Sequence, residues 1–457
     1  MPRSQSLGQW TDQVRLALPC LSRPQATVLA LYSFGMIMAQ RCGLSAVVTA
    51  LVPILDQGFH TIRSRLQEFY QPADAKSGQR RVELDVTACF APLLAWILQG
   101  WKSRHLALAL DATSLGDTFT VLSIGVVYRG QAIPVAWKVL PANVPHPWKP
   151  EWIALLKTFA GLVPSDLTVI AMTDRGLYAR WLYREIVNRG WHPVMRINSQ
   201  SKFRKGRSKK SISVRALVPR VGLRWQGTGT AFPRKAERRL ECTLMACWEE
   251  GCEEPWFLVT DLAPDQAEGL WYGMRSWIEH GYKLLKSGGW QWQTTRMTDP
   301  DRVERLWLVL AVATCTVLAT GGAADDEEFA DVTAQEPARP SAASSSKPAR
   351  TSTAAGKNRR RRGVAPEKET AQRQPRHRVD AAEEETTERQ PRRRRSGTKE
   401  RLVSVFRQGL AVLVALLIGG HAFPKPSWKP EPWLELRGGV TASPQQPRAP
   451  VPENPSQ

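Results

Sequence analysis

Two short apolar runs end on an aspartate: Leu106–Asp111 reads LALALD, and Thr168–Asp174 reads TVIAMTD. An apolar run of that length closed by an acid predicts a buried strand whose last residue emerges at the end of a sheet. The surrounding sequence has the same texture. Thr118–Tyr128, rich in Val and Thr, is followed by a turn at Gly130 and by Ala132–Val139, which predicts a three-strand meander. A helical pattern at Glu151–Gly161, the strand Leu167–Met172, a helical pattern at Tyr178–Gly190 and a strand at His192–Ile197 follow. The fold class is therefore α/β, with a carboxylate at two strand ends. Strand ends of an open sheet face the crevice where ligands bind. A single such Asp could be a cap or turn residue, and Asp174-Arg175-Gly176 has that character. Two in the same setting could share a hard cation, and with a third acid they could hold a pair of Mg²⁺ ions.

The other segments divide by composition. Residues 1–100 are helical, with Leu29, Leu31, Tyr32, Met36 and Met38 at helical spacing and Gly43, Pro53 and Gly58 as punctuation. Within them His60–Tyr70 predicts an amphipathic helix whose basic side (His60, Arg63, Arg65) suits either a small DNA-binding domain or an ordinary solvated face. Residues 101–198 form the first part of the α/β core. Residues 199–262 predict a β-rich insertion with strands at Ser213–Leu217, Leu240–Trp248 and Trp256–Thr260, and a basic loop of Lys202, Arg204, Lys205, Arg207, Lys209 and Lys210. The core resumes over 263–320 with helices at Ala267–Lys286 and Pro300–Thr320. Residues 321–400 have almost no aromatics and predict disorder, their runs Arg359–Arg362 and Arg392–Arg395 reading as solvated charge. An apolar helix at 401–423 is expected to pack on the core, and 424–457 is a Pro-rich tail.

Charge narrows the function. Residues 1–320 hold 39 basic and 25 acidic side chains, so +14 of the net +21 belongs to the part predicted to fold. That excess points to a polyanion, nucleic acid or an acidic membrane face. The apolar runs Leu306–Thr320 and Leu410–Ile418 fall short of the ~18–20 residues a membrane span needs, so both read as buried helices and no membrane partner is expected. Seven cysteines offer no disulfide framework, and Cys242, Cys247 and Cys252, five apart, do not match zinc-ligand spacing. Reduced thiols and a cytoplasmic, nucleoid-associated protein are the expectation.

The third acid lies in WYGMRSWIEHGYKLLK, Trp271–Lys286. Tyr272, Arg275, Glu279 and Lys286 follow one another at three, four and seven residues, which on an α-helix places all four in one narrow stripe. Arg275–Glu279 could equally be a plain i,i+4 ion pair.

These residues give the chain a resemblance. It resembles the hairpin-forming DDE transposases of bacterial insertion sequences marked by Tyr-x2-Arg-x3-Glu-x6-Lys, with Tyr272, Arg275, Glu279 and Lys286 at the family spacing. LDATS at Asp111 and TDRG at Asp174 look like the family's first two acid motifs, and Glu253–Leu262 looks like its strand before the last acid. The likeness covers roughly residues 100–320. It implies a ribonuclease-H-like catalytic core interrupted by a β-rich insertion, to which the 105 residues from Asp174 to Glu279 correspond. It further implies that Asp111, Asp174 and Glu279 ligate two Mg²⁺ ions, with Mn²⁺ a possible substitute. The implied reaction nicks the element's end with water, forms a hairpin, reopens it, and joins the 3′-OH to target DNA. Tyr272, Arg275 and Lys286 would contact phosphates near the cleaved end. A Trp from the insertion would stack a flipped base, with Trp256 the match by position and Trp248 the reserve. Double-stranded DNA and a homodimer on paired ends are the implied partners.

The low-complexity block 321–400 departs from the family pattern, and the N-terminal helices carry no motif that can be assigned. Two other readings stand beside the transposase: a nuclease on the same fold that cuts without strand transfer, and a catalytically inactive decayed copy or DNA-binding regulator of the element.

Overall fold

The computed structural model describes residues 3–78, 82–142, 147–234, 236–335 and 403–430. Residues 1–331 and 403–457 belong to one compact unit and 332–402 to another. The first is described below. The low-complexity block beyond residue 335, with its two arginine runs, and the tail beyond 430 lie outside the described residues.

Five helices come first: α1 (Arg3–Ala17), α2 (Arg23–Ala39), α3 (Leu44–Leu55), α4 (Phe59–Glu68) and α5 (Phe90–Leu98). A capping box between Ser22 and Gln25 starts α2, with Pro24 in its first turn, and Gln40 ends it in the left-handed region at φ 53°. Residues 29–37 of α2 are buried without a break, which marks a helix enclosed on all sides. On α4, Ile62 and Leu66 face inward while His60 and Arg65 stay exposed, as the amphipathic pattern predicts. Trp10, Phe34 and Leu51 share one continuous apolar cluster with Phe119, Trp137 and Trp307. The change of texture at residue 100 is therefore no break in the core.

The sheet holds ten strands in the order β3-β2-β1-β4-β5-β10-β9-β8-β6-β7. The meander is β1 (His105–Leu115), β2 (Phe119–Tyr128) and β3 (Gln131–Pro141); α6 (Trp148–Ala160) leads to β4 (Thr168–Thr173), and α7 (Arg180–Val187) to β5 (His192–Arg196). The pairs β1–β4 and β4–β5 are parallel. The remaining strands are β6 (Lys202–Lys205), β7 (Ile212–Ser213), β8 (Arg224–Ala231), β9 (Leu240–Cys247) and β10 (Trp256–Thr260). The predicted insertion continues the same sheet, because β10 pairs antiparallel with β5 and sets Leu258 opposite Arg196. Part of the predicted basic loop is strand: Lys202, Arg204 and Lys205 lie on β6.

Three helices complete the unit: α8 (Trp277–Lys283), α9 (Pro300–Gln335) and α10 (Val405–Ile418). The strand predicted at Ser213–Leu217 is instead a 3₁₀ turn over Val214–Leu217, with only Ser213 on β7, and the helices depart from the sequence pattern twice more. The predicted helix Ala267–Lys286 is broken into a 3₁₀ segment at Gly269–Ser276, then α8, then a π-turn at Leu284–Gly288. The predicted end of order at residue 320 is also too early, since α9 runs on through 321–335. Gly321 and Gly322 look like low-complexity filler, but Gly322 lies against the Tyr128 hydroxyl and Gly321 serves a helix crossing. A Cβ on Gly321 would lie 1.9 Å from the Val405 carbonyl oxygen, and one on Gly409 1.9 Å from that of Val317. Only glycine lets α9 and α10 approach so closely.

Among the described residues one helix, Pro300–Asp326, is long and apolar enough to cross a membrane, or two such spans exist if the sharply bent pair α2–α3 counts as one. The apolar run at 306–320 is thus part of a longer apolar helix than the sequence suggests, but 89% of its most apolar window is buried inside the fold. Beyond α10 the chain returns as a strap. Phe423 stacks on Trp10 at 4.6 Å and Trp428 meets the Tyr128 ring edge-on at 5.1 Å. Arg129 fixes the strap from below, donating to the Lys429 carbonyl at 3.0 Å and to Asp325 and Asp326 of α9.

Candidate active site

The parallel pairing of β1 with β4 sets Leu110 beside Thr173, so the two acids follow side by side; Asp174 stands at the end of β4 as predicted, but Asp111 is not a strand end, because β1 runs on to Leu115 in antiparallel pairing with β2. The alternation of β1 buries Leu106, Leu108 and Leu110 in the large core and puts Ala107, Ala109 and Asp111 on the opposite face, toward α8. Asp111 accepts a hydrogen bond from the Ala112 amide at 2.8 Å. Asp174 does hold a turn, since its Oδ1 accepts from the Leu177 amide at 2.7 Å, yet its Oδ2 remains turned to the site.

Both acids face Arg275. Its Nη2 lies 2.6 Å from Asp111 Oδ2 and 3.7 Å from Asp174 Oδ2, and its Nη1 pairs with Glu279. Three carboxylates from three distant segments thus converge on one guanidinium, which is itself only 11% exposed. The acids grade outward, Asp111 at 15% exposure, Asp174 at 35% and Glu279 at 60%. Burial pushes the Asp111 carboxyl up to about 6, against the opposing pull of Arg275 and the Ala112 amide, with Asp174 and Glu279 adding to the rise. Desolvation likewise raises the Tyr272 hydroxyl to about 12.

Irregular helix geometry places the signature residues. Tyr272 and Arg275 lie three apart on the 3₁₀ segment, where such residues eclipse one another. Arg275 and Glu279 are joined across the junction with α8. Lys286 sits in the π-turn with non-helical backbone (φ −78°, ψ −106°), and its Nζ donates to the Ser114 carbonyl at 2.6 Å, on the same strand as Asp111 and near its end. The four residues reach one region without forming one helical stripe. Trp256 meets the Tyr272 ring edge-on at 5.3 Å, half-buried on the same face of the sheet.

The remaining predicted residues lie elsewhere. Trp248 donates its indole N–H to the Cys252 carbonyl at 3.0 Å. On β6, Arg204 donates to Thr230 at 2.9 Å, and Lys205 lies 4.7 Å from the centre of the Trp225 ring; Arg207 is exposed in the following turn. β6 stands five strand positions from β4, roughly 24 Å at a spacing of ~4.8 Å.

The sequence reading missed the residues that dock α8. A Cβ on Gly281 would fall 2.6 Å from the Ala132 carbonyl oxygen, so only glycine permits this approach to β3. Tyr282, half-buried, shares a 2.7 Å hydrogen bond with Ser123, the cross-strand partner of Asp111. His280 Nδ1 lies 3.1 Å from the Gly130 carbonyl oxygen. The sequence signal was present, because three consecutive residues follow Glu279 directly. Also unforeseen is a pair of arginines beside the acids, with Glu254 2.5 Å from Arg196 and 3.6 Å from Arg175.

The donor set suits a hard divalent cation, since three carboxylates reach one positive centre and offer only oxygen. Among the described residues no three His, Cys, Asp or Glu side chains stand close enough to one another to hold a metal ion. The breadth of the Arg275 guanidinium spaces the acids, and a metal would require it to move aside.

Comparison with known proteins gives a family match for part of the chain. Residues 149–316 match the model of the transposase DDE domain, a span that contains Asp174 and Glu279 and begins after Asp111. The match supports a relationship to the DDE transposases. No curated protein matches. Among solved structures, the chain is similar to the cryo-EM structure of the piggyBac transposase synaptic complex with hairpin DNA. That likeness has 9% identity over 68% of this chain and 73% of that one, with a TM-score of 0.33.

Proposed function

We propose that the chain is a DDE transposase that cleaves DNA at the ends of an insertion sequence and transfers the freed strand into target DNA through a hairpin intermediate. The observation that carries this reading is the convergence of Asp111, Asp174 and Glu279 on Arg275 from three segments far apart in sequence. The family match over residues 149–316 supports it, and the order β3-β2-β1-β4-β5 with an antiparallel meander supports a ribonuclease-H-like core.

Asp111, Asp174 and Glu279 are the residues that would hold two divalent ions. Mg²⁺ or Mn²⁺ bound there would supply Lewis-acid stabilisation of phosphoryl charge and a more acidic water. Arg275, drawn from the carboxylates to a phosphate, offers a forked pair of donors, and Lys286 offers a point charge. Tyr272 backs the site and, with its hydroxyl held protonated, can donate a hydrogen bond to a phosphate oxygen. Trp256, resting edge-on against Tyr272, is positioned to stack an unpaired base, an interaction worth ~1–3 kcal/mol. The basic strand β6, with Arg207 beyond it, would meet duplex DNA away from the reacting phosphate. Paired ends require two copies of the chain.

The test is a Mg²⁺-dependent cleavage assay on a duplex bearing the element's terminal repeat, resolved on denaturing gels. A nick followed by a hairpin is expected. Asp111→Ala and Glu279→Ala should each abolish cleavage and leave end binding largely intact; cleavage that survives either change sinks the assignment. Binding by the unaltered chain with no cleavage in Mg²⁺ or Mn²⁺ would instead mark a decayed copy or regulator.

A further inference from the structure

We propose that Cys20 and Cys89 form an oxidative modification site, in which a hydroperoxide converts the two thiols into an intramolecular disulfide. Cys20 lies in the exposed turn between α1 and α2, and Cys89 is buried at the start of α5. Although 69 positions apart in the chain, their sulfurs stand 3.6 Å from each other, in contact. Cys89 Sγ also donates to the Asp85 carbonyl at 3.5 Å, which holds its side chain toward the turn.

Cys20 differs from the buried cysteines. Cys42, Cys242, Cys247 and Cys315 are buried, and burial pushes the thiols of the first three up to about 12 and that of Cys315 higher still. Cys20 moves the other way. The hydrogen bond it shares with Cys89 lowers it to about 7, while burial and Asp85 oppose the shift less strongly. An exposed thiolate with a buried thiol in contact has the arrangement of an attacking and a resolving cysteine.

The step balances with the hydroperoxide as the sole oxidant. The Cys20 thiolate attacks the terminal peroxide oxygen, an S–O bond forms, the O–O bond breaks, and the other oxygen leaves with a proton as an alcohol or water. The Cys89 sulfur then attacks the Cys20 sulfenic acid; the S–S bond forms, the S–O bond breaks, and hydroxide departs as water with the Cys89 proton. Two thiols are oxidised by one peroxide. The product would staple the α1–α2 corner to the helix that leads into β1.

The experiment treats the full chain with one equivalent of hydrogen peroxide and maps its peptides by mass spectrometry without reduction. A cross-linked pair containing Cys20 and Cys89, lighter than the two thiols by about two mass units, is expected. In Cys89→Ser, Cys20 should stop at a sulfenic acid that dimedone traps, and in Cys20→Ser residue 89 should stay unmodified. Oxidation of Cys20 to sulfinic acid in the unaltered chain with Cys89 still free, or a bridge from Cys20 to any other cysteine, would overturn the proposal. Because the unaltered chain gives the decisive map, the result does not depend on whether either variant folds.

Discussion

Asp111 carries two demands at once, burial beneath Arg275 and a role that needs it ionised. Its carboxyl titrates near 6 in the folded chain, above the ~3.9 of an unfolded one. Below about pH 4 both states hold the proton. Between there and pH 6 the unfolded chain loses its proton first, so stability falls as pH rises, by roughly 3 kcal/mol once ionisation is complete. Asp111→Asn removes that loss. In chelator, urea denaturation should show the variant gaining on the unaltered chain from pH 4 to pH 7; a pH-independent difference would refute the assignment. Trp256 poses a subtler case, because its contact with Tyr272 would serve either a packed strand residue or a stacking platform. Trp256→Ala should slow hairpin formation more than the first nick in single-turnover assays, and equal slowing returns it to packing. At this scale the two aspartates were legible because an apolar run closed by an acid is a local pattern, although β1 continues past Asp111 to Leu115 on its pairing with β2, which no local pattern shows. Arg275 as their common partner was not, since the sequence shows only its spacing from Glu279.

Among the elements, α8 shows where local pattern stops being informative. Helical spacing suggests one stripe from Tyr272 to Lys286, but the chain changes from 3₁₀ to α to π geometry along it. Those changes answer to the docking of Gly281 on the Ala132 carbonyl and of Tyr282 on Ser123, contacts made more than a hundred residues away in sequence. Gly281→Ala should therefore lift α8 off β3, cost about 1–3 kcal/mol as overpacking, and displace Glu279 enough to cut cleavage severalfold. Thermal melts with single-turnover cleavage rates check both halves, and unchanged cleavage would show that Glu279 is placed by other contacts. The strands of the meander, by contrast, follow their sequence closely, because a run of Val, Ile and Leu between turn residues has few alternatives. The continuation of the insertion into the same sheet could not be read locally, as the pairing of β10 with β5 spans some sixty residues.

For the molecule as a whole, the composition of 321–335 misled because Gly, Ala and Asp are read as disorder when they stand beside Ser- and Pro-rich sequence. In place they are a helix crossing and an ion-pair partner for Arg129. The crossing of α9 with α10, the stacking of Phe423 on Trp10 and the grip of Arg129 on Lys429 all join the last described segment to earlier parts of the fold by contact, independently of the chain between them. These contacts predict that the described parts hold together without a covalent link between residues 335 and 403. A gene cut within that stretch and expressed as two pieces should yield halves that find each other through the glycine crossing and co-purify. Gly409→Leu in the shorter piece should prevent the pairing, and co-purification undiminished by it would show that the crossing is not what joins them. Halves that pair in this way would turn the crossing into a seam where a reporter or a drug-controlled dimeriser could replace the covalent link.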